Sequence, residues 1–351
     1  MHIGVDTHKV QHVLVALDDQ GRRCGVHHST NTPEGWIEAL SWAQARGDAR
    51  EWGIENSGSL GKGFAQALID QGETHVREVS PQRTAQYRRH GRRQDKTDEV
   101  DARAIARLLL AEGEHLPLVR RDDLSTELRL LSDHRDNVLG ERTRLINQLH
   151  AQMLQVNPLY KKEESGPLTE AQGVTYCAAL VLPTADRVVQ TRLLIVHQLA
   201  AQIAGLDAEV AALTTELERR VRESQTPLTA LRGVGTVVAA RLIGELGTTP
   251  RISSAGAFAA LAGIAPVAVS SGRHGGYRLN RGGNRRLNRA IHIIALSQRR
   301  CEPQAQAYYA KKRAEGKTGR AAMRCLKRRL VDVLYHLWIR EGTAPATPVA
   351  A

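Results

Sequence analysis

The chain has 351 residues, of which 42% are hydrophobic and only 4% are aromatic, so its core must be built from Leu, Val, Ile and Ala. This length suffices for two compact domains with connecting structure. No run approaches the roughly 18 apolar residues needed to cross a bilayer, and the first residues do not resemble a signal peptide. We therefore expect a cytoplasmic protein with no membrane partner.

The cysteines exclude two kinds of stabilising site. Four cysteines lie far apart in the chain, which argues against a local zinc site and against a dense disulfide framework. We interpret them as unrelated reduced thiols, namely Cys24, Cys177, Cys301 and Cys325.

Charge points to a polyanionic partner. The net charge is +12, and residues 272–340 carry 18 basic against three acidic residues, a net +15, so the rest of the chain carries −3. A segment this basic repels itself unless a polyanion is near. We expect nucleic-acid binding that weakens steeply with salt, and hence a nucleoid-associated protein. A second basic run contains Arg83, Arg88, Arg89, Arg92, Arg93 and Lys96.

The first 115 residues predict an α/β domain. Apolar runs bounded by turn and helix signals predict five strands, at 2–6, 12–17, 23–28, 52–55 and 75–79. Helical stretches begin at Pro33 and after Ser59, ending near Arg46 and Gln71. Three strands followed by helix–strand–helix–strand indicate a mixed sheet with helices on its faces.

The region 116–227 predicts a helical connector. Apolar residues recur there at alternating spacings of three and four, the pattern of a coiled coil over about 193–221. We expect this helix to pair protomers rather than only to pack on its own domain. Segment 157–186 contains three prolines and reads as a loop-rich interruption. The heptad positions are Val196, Leu199, Ile203, Leu206, Val210, Leu213 and Leu217.

A mostly helical domain is predicted at 228–342, followed by a disordered tail at 343–351. Gly233 and Gly235 open a helix from Val237 to Leu246, and such a turn presents backbone N–H groups to a phosphate, as in helix-hairpin-helix modules. A plain interhelical turn is the alternative. Two later helices are expected to bury Leu287, Ile291 and Ile294, and Met323, Leu326, Leu330, Val333 and Leu337, respectively.

Basic residues alternate with these apolar positions. Arg binds phosphate bidentately and Lys binds it as a point charge, so the exposed faces predict a surface that grips nucleic-acid backbones. The predicted contacts here are Arg273, Arg281, Arg285, Arg286, Arg289, Lys327 and Arg328, and in the first domain Arg88, Arg89, Arg92, Arg93 and Lys96.

Four carboxylates in three elements suggest phosphodiester chemistry. Asp6 and Glu55 end the first and fourth strands, which can be neighbours in a mixed sheet. Asp98 and Asp101 are three residues apart and share one face of a helix's first turn. Such a cluster suits two divalent metals roughly 4 Å apart. Taken singly, each carboxylate could be a turn former or a helix-dipole partner instead.

This order of residues resembles the RNase H-like fold and, within it, the RuvC-like nucleases. The phrase KTDEVDAR is similar to the hallmark of the IS110 family of DEDD insertion-sequence transposases. The resemblance implies a catalytic, Mg²⁺-binding tetrad of Asp6, Glu55, Asp98 and Asp101. The first hairpin also resembles the phosphate hairpin of sugar kinases and actin-like ATPases, but the later Gly-rich loop of those proteins is missing from the sequence.

The C-terminal stretch AGIAPVAVSSG, followed by GGNRRLNRA, resembles the serine domain of the same family. The residues alone suggest only a loop serine, whereas the resemblance implies that Ser271, before the glycine, is a nucleophile. Ser270 stands beside it, and His274 reads as a bystander because a metal-bound site can activate the hydroxyl itself.

The resemblance implies a DNA transposase or serine recombinase that forms a covalent phosphoserine–DNA intermediate. Its implied partners are donor and target DNA and a structured bridge RNA, with protomers paired through the coiled coil and assembled as a tetramer. Two other classes stay open. A RuvC-like junction nuclease would need the carboxylates but not Ser271, and a non-catalytic nucleic-acid-binding protein would need neither.

Overall fold

The computed structural model describes residues 1–89, 97–160, 167–247, 252–271 and 274–340. The chain divides into two units, Met1–Asp122 and Asp123–Ala351, and the boundaries predicted at 115 and 227 stay predictions. Several predictions lie outside the described residues, namely the contacts of Arg92, Arg93, Lys96 and Arg273, the side chain of Arg89, and the disordered tail.

The first unit is built on the predicted mixed sheet. Its five strands lie in the order β3-β2-β1-β4-β5; β1 pairs parallel to β4, and β4 parallel to β5, while the other pairs are antiparallel. The strands are β1 (His2–Thr7), β2 (Gln11–Leu17), β3 (Arg23–Thr30), β4 (Glu51–Glu55) and β5 (Val76–Val79). The helices are α1 (Pro33–Gln44), α2 (Lys62–Asp70), α3 (Pro81–Arg89) and α4 (Asp98–Glu112), and a 3-10 turn (Gly113–His115) follows α4.

Helices cover both faces of this sheet. Alternate residues such as Ile3, Leu14 and Ile54 pack with the apolar residues of α1 and α2. The other face of β2, including Val13 and Val15, packs with small residues of α4. The sequences of the central strands are therefore continuous apolar runs, because both faces of these strands are buried.

A glycine permits the close approach of α4 to the sheet. A Cβ built on Gly4 would lie 2.1 Å from the carbonyl oxygen of Ala102 and 2.3 Å from the amide nitrogen of Ala106. Real side chains do not tolerate such distances, so only glycine fits at this point of β1. The contact fixes the N-terminal turn of α4 above the end of β1.

The second unit contains a long antiparallel helix pair. Helix α5 (Leu124–Val156) runs beside α7 (Arg187–Glu223), and a shorter helix, α6 (Ala171–Ala179), packs on α7. Arg220 pairs with Glu127 at one end, and the Arg192 guanidinium donates to Gln152 Oε1 at 2.9 Å at the other. The segment expected to be loop-rich thus contains a helix, because its apolar residues, such as Val174 and Cys177, have a core to join.

The predicted heptad stripe is partly buried within the chain itself. Val196, Leu199 and Ile203 pack with residues near the end of α5, and Leu217 packs in a second core near the start of α5. The middle of the stripe, at Leu206, Val210 and Leu213, is half-buried. Pairing of protomers through the rest of the stripe stays a prediction.

Helix α7 is long and apolar enough to cross a membrane by length and composition alone. This is weak evidence, because the core helix of a soluble protein passes the same test. One face of α7 packs against α5 and α6.

The remainder of the second unit is mostly helical, as predicted, with one β-hairpin. Leu287, Ile291, Ile294, Leu326 and Leu330 are buried in its core as expected. Its elements are a 3-10 turn (Pro227–Ala230), α8 (Thr236–Leu246), α9 (Ala255–Leu261), β6 (Val267–Ser271), β7 (His274–Arg278), α10 (Arg285–Cys301), α11 (Pro303–Ala314), α12 (Gly319–Leu334) and a π-helical turn (Tyr335–Arg340).

Three sequence interpretations of this region were wrong in detail. Ser271 ends a strand rather than lying in a flexible loop, because β6 and β7 pair antiparallel. Val333 is 40% exposed. Lys327, expected on the outer face, is only 9% exposed. It follows Met323 by four residues and precedes Leu330 by three, and both spacings place it on the same face of the helix as these apolar residues.

Candidate active site

The register of the sheet places Asp6 and Glu55 side by side. Parallel β1 and β4 pair Val5 with Ile54, so the next residues on the two strands are neighbours at the carboxyl end of the sheet. Side chains alternate along a strand, so Asp6 faces the same way as Gly4 and Glu55 the same way as Gly53. Both glycines lie against α4, and both carboxyl groups therefore face that helix.

Helix α4 brings the other two carboxylates to the same edge. Thr97 caps it, its hydroxyl accepting a hydrogen bond from the Val100 amide at 3.3 Å, so that Asp98 and Asp101 fall in the first turn. There they complement the positive end of the helix dipole. Asp101 is 13% exposed and Asp98 is 61% exposed, so the site opens to solvent on the Asp98 side. All four carboxylates thus lie at this edge of the sheet, and their shared catalytic role stays a prediction.

The electrostatics show that these groups crowd one another. Burial raises the pKa of Asp6, and the charges of Asp101 and Asp98 raise it further, although His8 acts in the opposite direction. Burial also raises the pKa of Glu55, and Asp6 and Asp101 add to the effect. Like charges that disfavour ionisation in a partly buried cluster are the condition that a bound cation relieves.

His8 was missed by the sequence analysis. Its Nε2 lies 3.1 Å from Asp6 Oδ2 and 3.4 Å from Asp98 Oδ1, between the two carboxylates. Ligand atoms of the three residues all lie within 4.8 Å of one another, which fits a metal ion. The available signal was its position two residues after Asp6, which returns its side chain to the same face of the chain.

The donor set suits a hard divalent cation. Carboxylate oxygens are the ligands that Mg²⁺ and Mn²⁺ prefer, and four carboxylates adjoin one another here, those of Asp6, Glu55, Asp98 and Asp101. The single imidazole of His8 is compatible with Mn²⁺ or a transition metal. Such ions polarise phosphoryl oxygens and activate an attacking hydroxyl. The arrangement can therefore support phosphodiester cleavage or transfer.

Arg88 lies beside the carboxylates rather than on a separate surface. Its guanidinium pairs with the Asp101 carboxylate, and its charge opposes the rise in the pKa of Glu55. A cation in this position balances one carboxylate while no phosphate is bound. The predicted contact of Arg88 with nucleic acid stays a prediction.

The predicted nucleophile lies in the second unit. Ser271 is the last residue of β6, and its backbone pairs with His274 at the start of β7. The side chains of Ser270, Ser271 and His274 lie outside the described part of the chain. Their assigned roles stay predictions.

Several predicted phosphate contacts already have acidic neighbours. Arg286 lies 3.0 Å from Asp133 and 3.2 Å from Glu245, and Arg328 pairs with Asp332. Arg289 lies 3.9 Å from Asp136. Arg281 and Arg285 form no ion pair within the described residues.

The glycine turn lies at the start of α8 as predicted. Gly233 has a φ of +90° and packs against α10, where a Cβ would meet Ser297 at 3.1 Å. Gly235 caps α8 without a side-chain hydrogen bond. A phosphate contact at these two residues stays a prediction.

Comparison with known proteins decides the family. Residues 3–158 match the IS110-type DEDD transposase domain, and residues 225–310 match the transposase domain of the IS116/IS110/IS902 family. A 43.6 kDa protein of insertion element IS110 from Streptomyces coelicolor is 30% identical, with 71% of each chain covered. The chain belongs to the IS110/IS116 family of transposases.

Relatives in this family align along almost the whole chain. The 44.8 kDa protein of insertion element IS116 from Streptomyces clavuligerus is 29% identical, covering 99% of this chain and 97% of its own. The 42 kDa protein of IS900 from Mycobacterium paratuberculosis is 26% identical, covering 99% and 98%. This insertion-sequence transposase therefore acts on DNA, and its DEDD-type domain implies dependence on a divalent metal.

Proposed function

We propose that this transposase is a serine recombinase. It cleaves and rejoins DNA strands through a covalent phosphoserine–DNA intermediate, with Mg²⁺ held by Asp6, Glu55, Asp98 and Asp101. The observation that carries the proposal is the convergence of these carboxylates at one sheet edge, two of them with raised pKa values. A structural cluster of four acids would gain nothing from this crowding.

The carboxylates and their neighbours have separable tasks. Asp6 and Asp98 would hold the cation together with His8, because the ligand atoms of these three residues lie within 4.8 Å of one another. Glu55, which accepts a hydrogen bond from Thr84, and Asp101, which pairs with Arg88, would complete the set. When bound, a divalent cation polarises the phosphoryl oxygen and neutralises developing charge. As a phosphate approaches, Arg88 can exchange its partner, releasing Asp101 and binding a phosphate oxygen.

Ser271 is the proposed nucleophile. A bond forms between its Oγ and phosphorus while the bond from phosphorus to one neighbouring nucleotide oxygen breaks, and the serine proton ends on the departing oxygen or on solvent. The new phosphodiester retains the energy of the old one, so the reverse reaction with another DNA end exchanges strands without ATP. The family resemblance supports this role.

The proposed partners follow from charge and from the family. Donor and target DNA and a bridge RNA would bind the predicted contacts of the second unit, largely through phosphates, since base reading would be delegated to the RNA. These contacts are Arg273, Arg281, Arg285, Arg286, Arg289, Lys327 and Arg328. The half-buried middle of the α7 stripe supports pairing of protomers and tetramer assembly. Loss of binding by only a small factor between low and physiological salt would contradict the phosphate-driven part of this proposal.

A covalent-trapping assay tests the chemistry. The protein is expressed from its native locus with flanking DNA, the reaction is quenched in detergent, and attached DNA is sequenced beside Ser271→Ala, Ser270→Ala and Asp101→Ala. Attached DNA with defined ends in wild type and Ser270→Ala, lost in the other two variants, is the expected result. Cleaved DNA without adduct would instead indicate a hydrolytic junction nuclease, and DNA binding with neither product, RNA supplied, would indicate a binding protein.

A further inference from the structure

A cationic cavity lies at the foot of the β6–β7 hairpin. Its volume is about 430 Å³, and its walls include residues just before β6 and just after β7. Four basic side chains, Arg281, Arg285, Arg324 and Lys327, line it together with Asn288. No carboxylate lines it in the described part of the chain, so it concentrates positive charge.

These four cations are uncompensated. Arg286 and Arg328 next to them in sequence have acidic partners, but within the described ranges none of the four lies within ion-pair distance of an acidic group. Cations in a recess with low-dielectric walls produce a focused positive potential. An anion of matching size would lower the energy of this arrangement.

The side chain of Lys327 lines the buried end of the cavity. Only 9% of the residue is exposed, and its Nζ donates to Asn288 Oδ1 at 2.6 Å. The Asn288 amide is itself fixed, because its Nδ2 donates to the Ala262 carbonyl at 2.8 Å. Burial and the nearby charges of Arg285 and Arg324 lower the pKa of Lys327 to about 8. An ammonium has three donors, and the asparagine oxygen accounts for one of them.

A second cavity continues from the first. It has a volume of about 470 Å³, shares Gly263, Asn280 and Arg324 with the first, and extends past Tyr308 and Lys312. A free small anion would fill a single recess. The second recess is less cationic than the first, because Asp332 lines it and pairs with Arg328, and Lys312 pairs with Glu315. Two adjoining recesses that share Arg324 nevertheless match an extended strand better than a single small anion.

We infer that the cavity lined by Arg281, Arg285, Arg324 and Lys327 binds a backbone phosphate of a nucleic-acid strand and positions that strand relative to the hairpin. The inference rests on the proposed function, because it gives the strand that Ser271 would attack a second point of attachment. Ser271 lies at the far end of β6, about 13 Å from its first residue at a strand rise of about 3.3 Å. That corresponds to about four nucleotides along a B-form strand.

The first experiment measures salt dependence. Binding of a mixed-sequence single DNA strand of about 20 nucleotides to the full-length protein is compared for wild type, Lys327→Met, Arg324→Gln and Arg300→Gln. The control Arg300 is exposed at the other end of α10, about 22 Å from Arg285. Each cavity variant is expected to weaken binding about tenfold and to lower the slope of log K against log salt by about 0.7. Equal effects of Arg300→Gln, or wild-type slopes for the cavity variants, would overturn the inference.

Thermal unfolding separates binding from folding. Methionine has nearly the length of lysine and carries no charge, so Lys327→Met relieves the cost of a buried ammonium and is expected to unfold no earlier than wild type. Weaker binding with unchanged or higher Tm supports the inference. If binding falls only in proportion to a loss of folded protein, Lys327 is structural and the inference fails.

Chemical protection tests occupancy directly. Lysine acetylation is followed by peptide mass spectrometry with and without the DNA strand or an RNA strand of the same length. Protection of Lys327 by DNA assigns the site to donor or target DNA, and protection by RNA alone assigns it to the guide, both in accord with a phosphodiester site. Protection of exposed lysines such as Lys317 but not Lys327 would refute it.

Failure of this inference and failure of the proposed function are distinguishable. A Ser271-dependent adduct that forms equally well in Lys327→Met would support the recombinase mechanism and refute the proposed role of the cavity. Strand-dependent protection of Lys327 in a protein that forms no adduct would do the reverse.

Discussion

The close approach of α4 to Gly4 gives a sharp test of how the carboxylates are positioned. In Gly4→Ala the new methyl group would lie 2.1 Å from the Ala102 carbonyl oxygen, and an ordinary contact needs at least 3.4 Å. The opposing atom is helix backbone, which cannot rotate aside. Helix α4 must therefore retreat by about 1.3 Å, carrying Asp98 and Asp101 away from Asp6.

Two effects of different size should follow. Overpacking of this kind costs about 1–3 kcal/mol of unfolding free energy. Displacement of catalytic groups by about 1 Å costs about 100-fold in rate. We therefore expect Gly4→Ala to remain folded at room temperature while adduct formation falls by about two orders of magnitude.

The assay combines thermal unfolding with the initial rate of covalent trapping at saturating Mg²⁺. Gly58→Ala is the matched control, because it lies in the same unit and an added Cβ there meets no atom within 4 Å. The reasoning would be refuted by a Gly4→Ala protein with the Tm and trapping rate of the control. It would also fail if Gly4→Ala lost stability but kept its full rate, since α4 would then not set the carboxylate geometry.

The remaining predictions concern charge. The raised pKa of Asp6 means that the folded state binds its proton more tightly than the unfolded state, so this carboxyl should add stability to metal-free protein as pH falls from neutral to about 5, above the ordinary pKa of 3.8. The lowered pKa values of His12, His27 and His292 act in the opposite direction, so the contribution of Asp6 is the difference between wild type and Asp6→Asn. Saturating Mg²⁺ should raise the Tm more at neutral pH than at pH 5. Arg88→Gln removes the partner of Asp101 and should lower the Mg²⁺ concentration at half-maximal Tm shift. Asp136→Ala leaves buried Arg241 without its carboxylate at 2.6 Å and should cost about 3 kcal/mol, measured by denaturant unfolding.

Each of these has a control and a contradicting result. Asp6→Asn should remove the contribution of Asp6, so on a fall in pH the variant should gain less stability, or lose more, than wild type. Identical profiles for the two proteins would show that Asp6 does not contribute. Arg83→Gln removes an exposed arginine paired with Glu112 and should leave Mg²⁺ affinity unchanged, so equal shifts for both variants would reflect net charge alone. Asp133→Ala breaks a more exposed pair with Arg286 and should cost under about 1 kcal/mol. A cost equal to that of Asp136→Ala would contradict the burial argument.

Much of the first unit was predictable from sequence because its signals are local. Apolar runs, turn residues and the Thr97 cap define the strands and α4, and the positions of Asp6 and Glu55 at the ends of two neighbouring parallel strands then bring them to one edge. The close contact at Gly4 was not predictable, since nothing near it in sequence shows which helix will cross that strand. His8 was missed for a related reason, because its partner Asp98 is ninety residues away.

The second unit was harder to predict where the polarity of a residue and its position in the helical period point to different faces. Lys327 was assigned to the outside because lysines seldom lie buried, yet its spacing from Met323 and Leu330 placed it on the inner face. The helical period was the better guide. The hairpin holding Ser271 was missed because its second strand is rich in glycine, which weakens any strand signal, and only pairing with β6 shows the strand.

The antiparallel pair of α5 and α7 joins two separate apolar cores. Leu128 and Leu217 belong to one core and Leu149 and Ile203 to another, while between them Arg142 pairs with Asp207. Matched insertions of seven residues in both helices would move the two cores apart by about 10 Å and keep every apolar side chain facing inward. An insertion in one helix alone would shift the pairing of all later residues. The length of this helix pair can therefore change in evolution only if both helices gain or lose the same number of residues together.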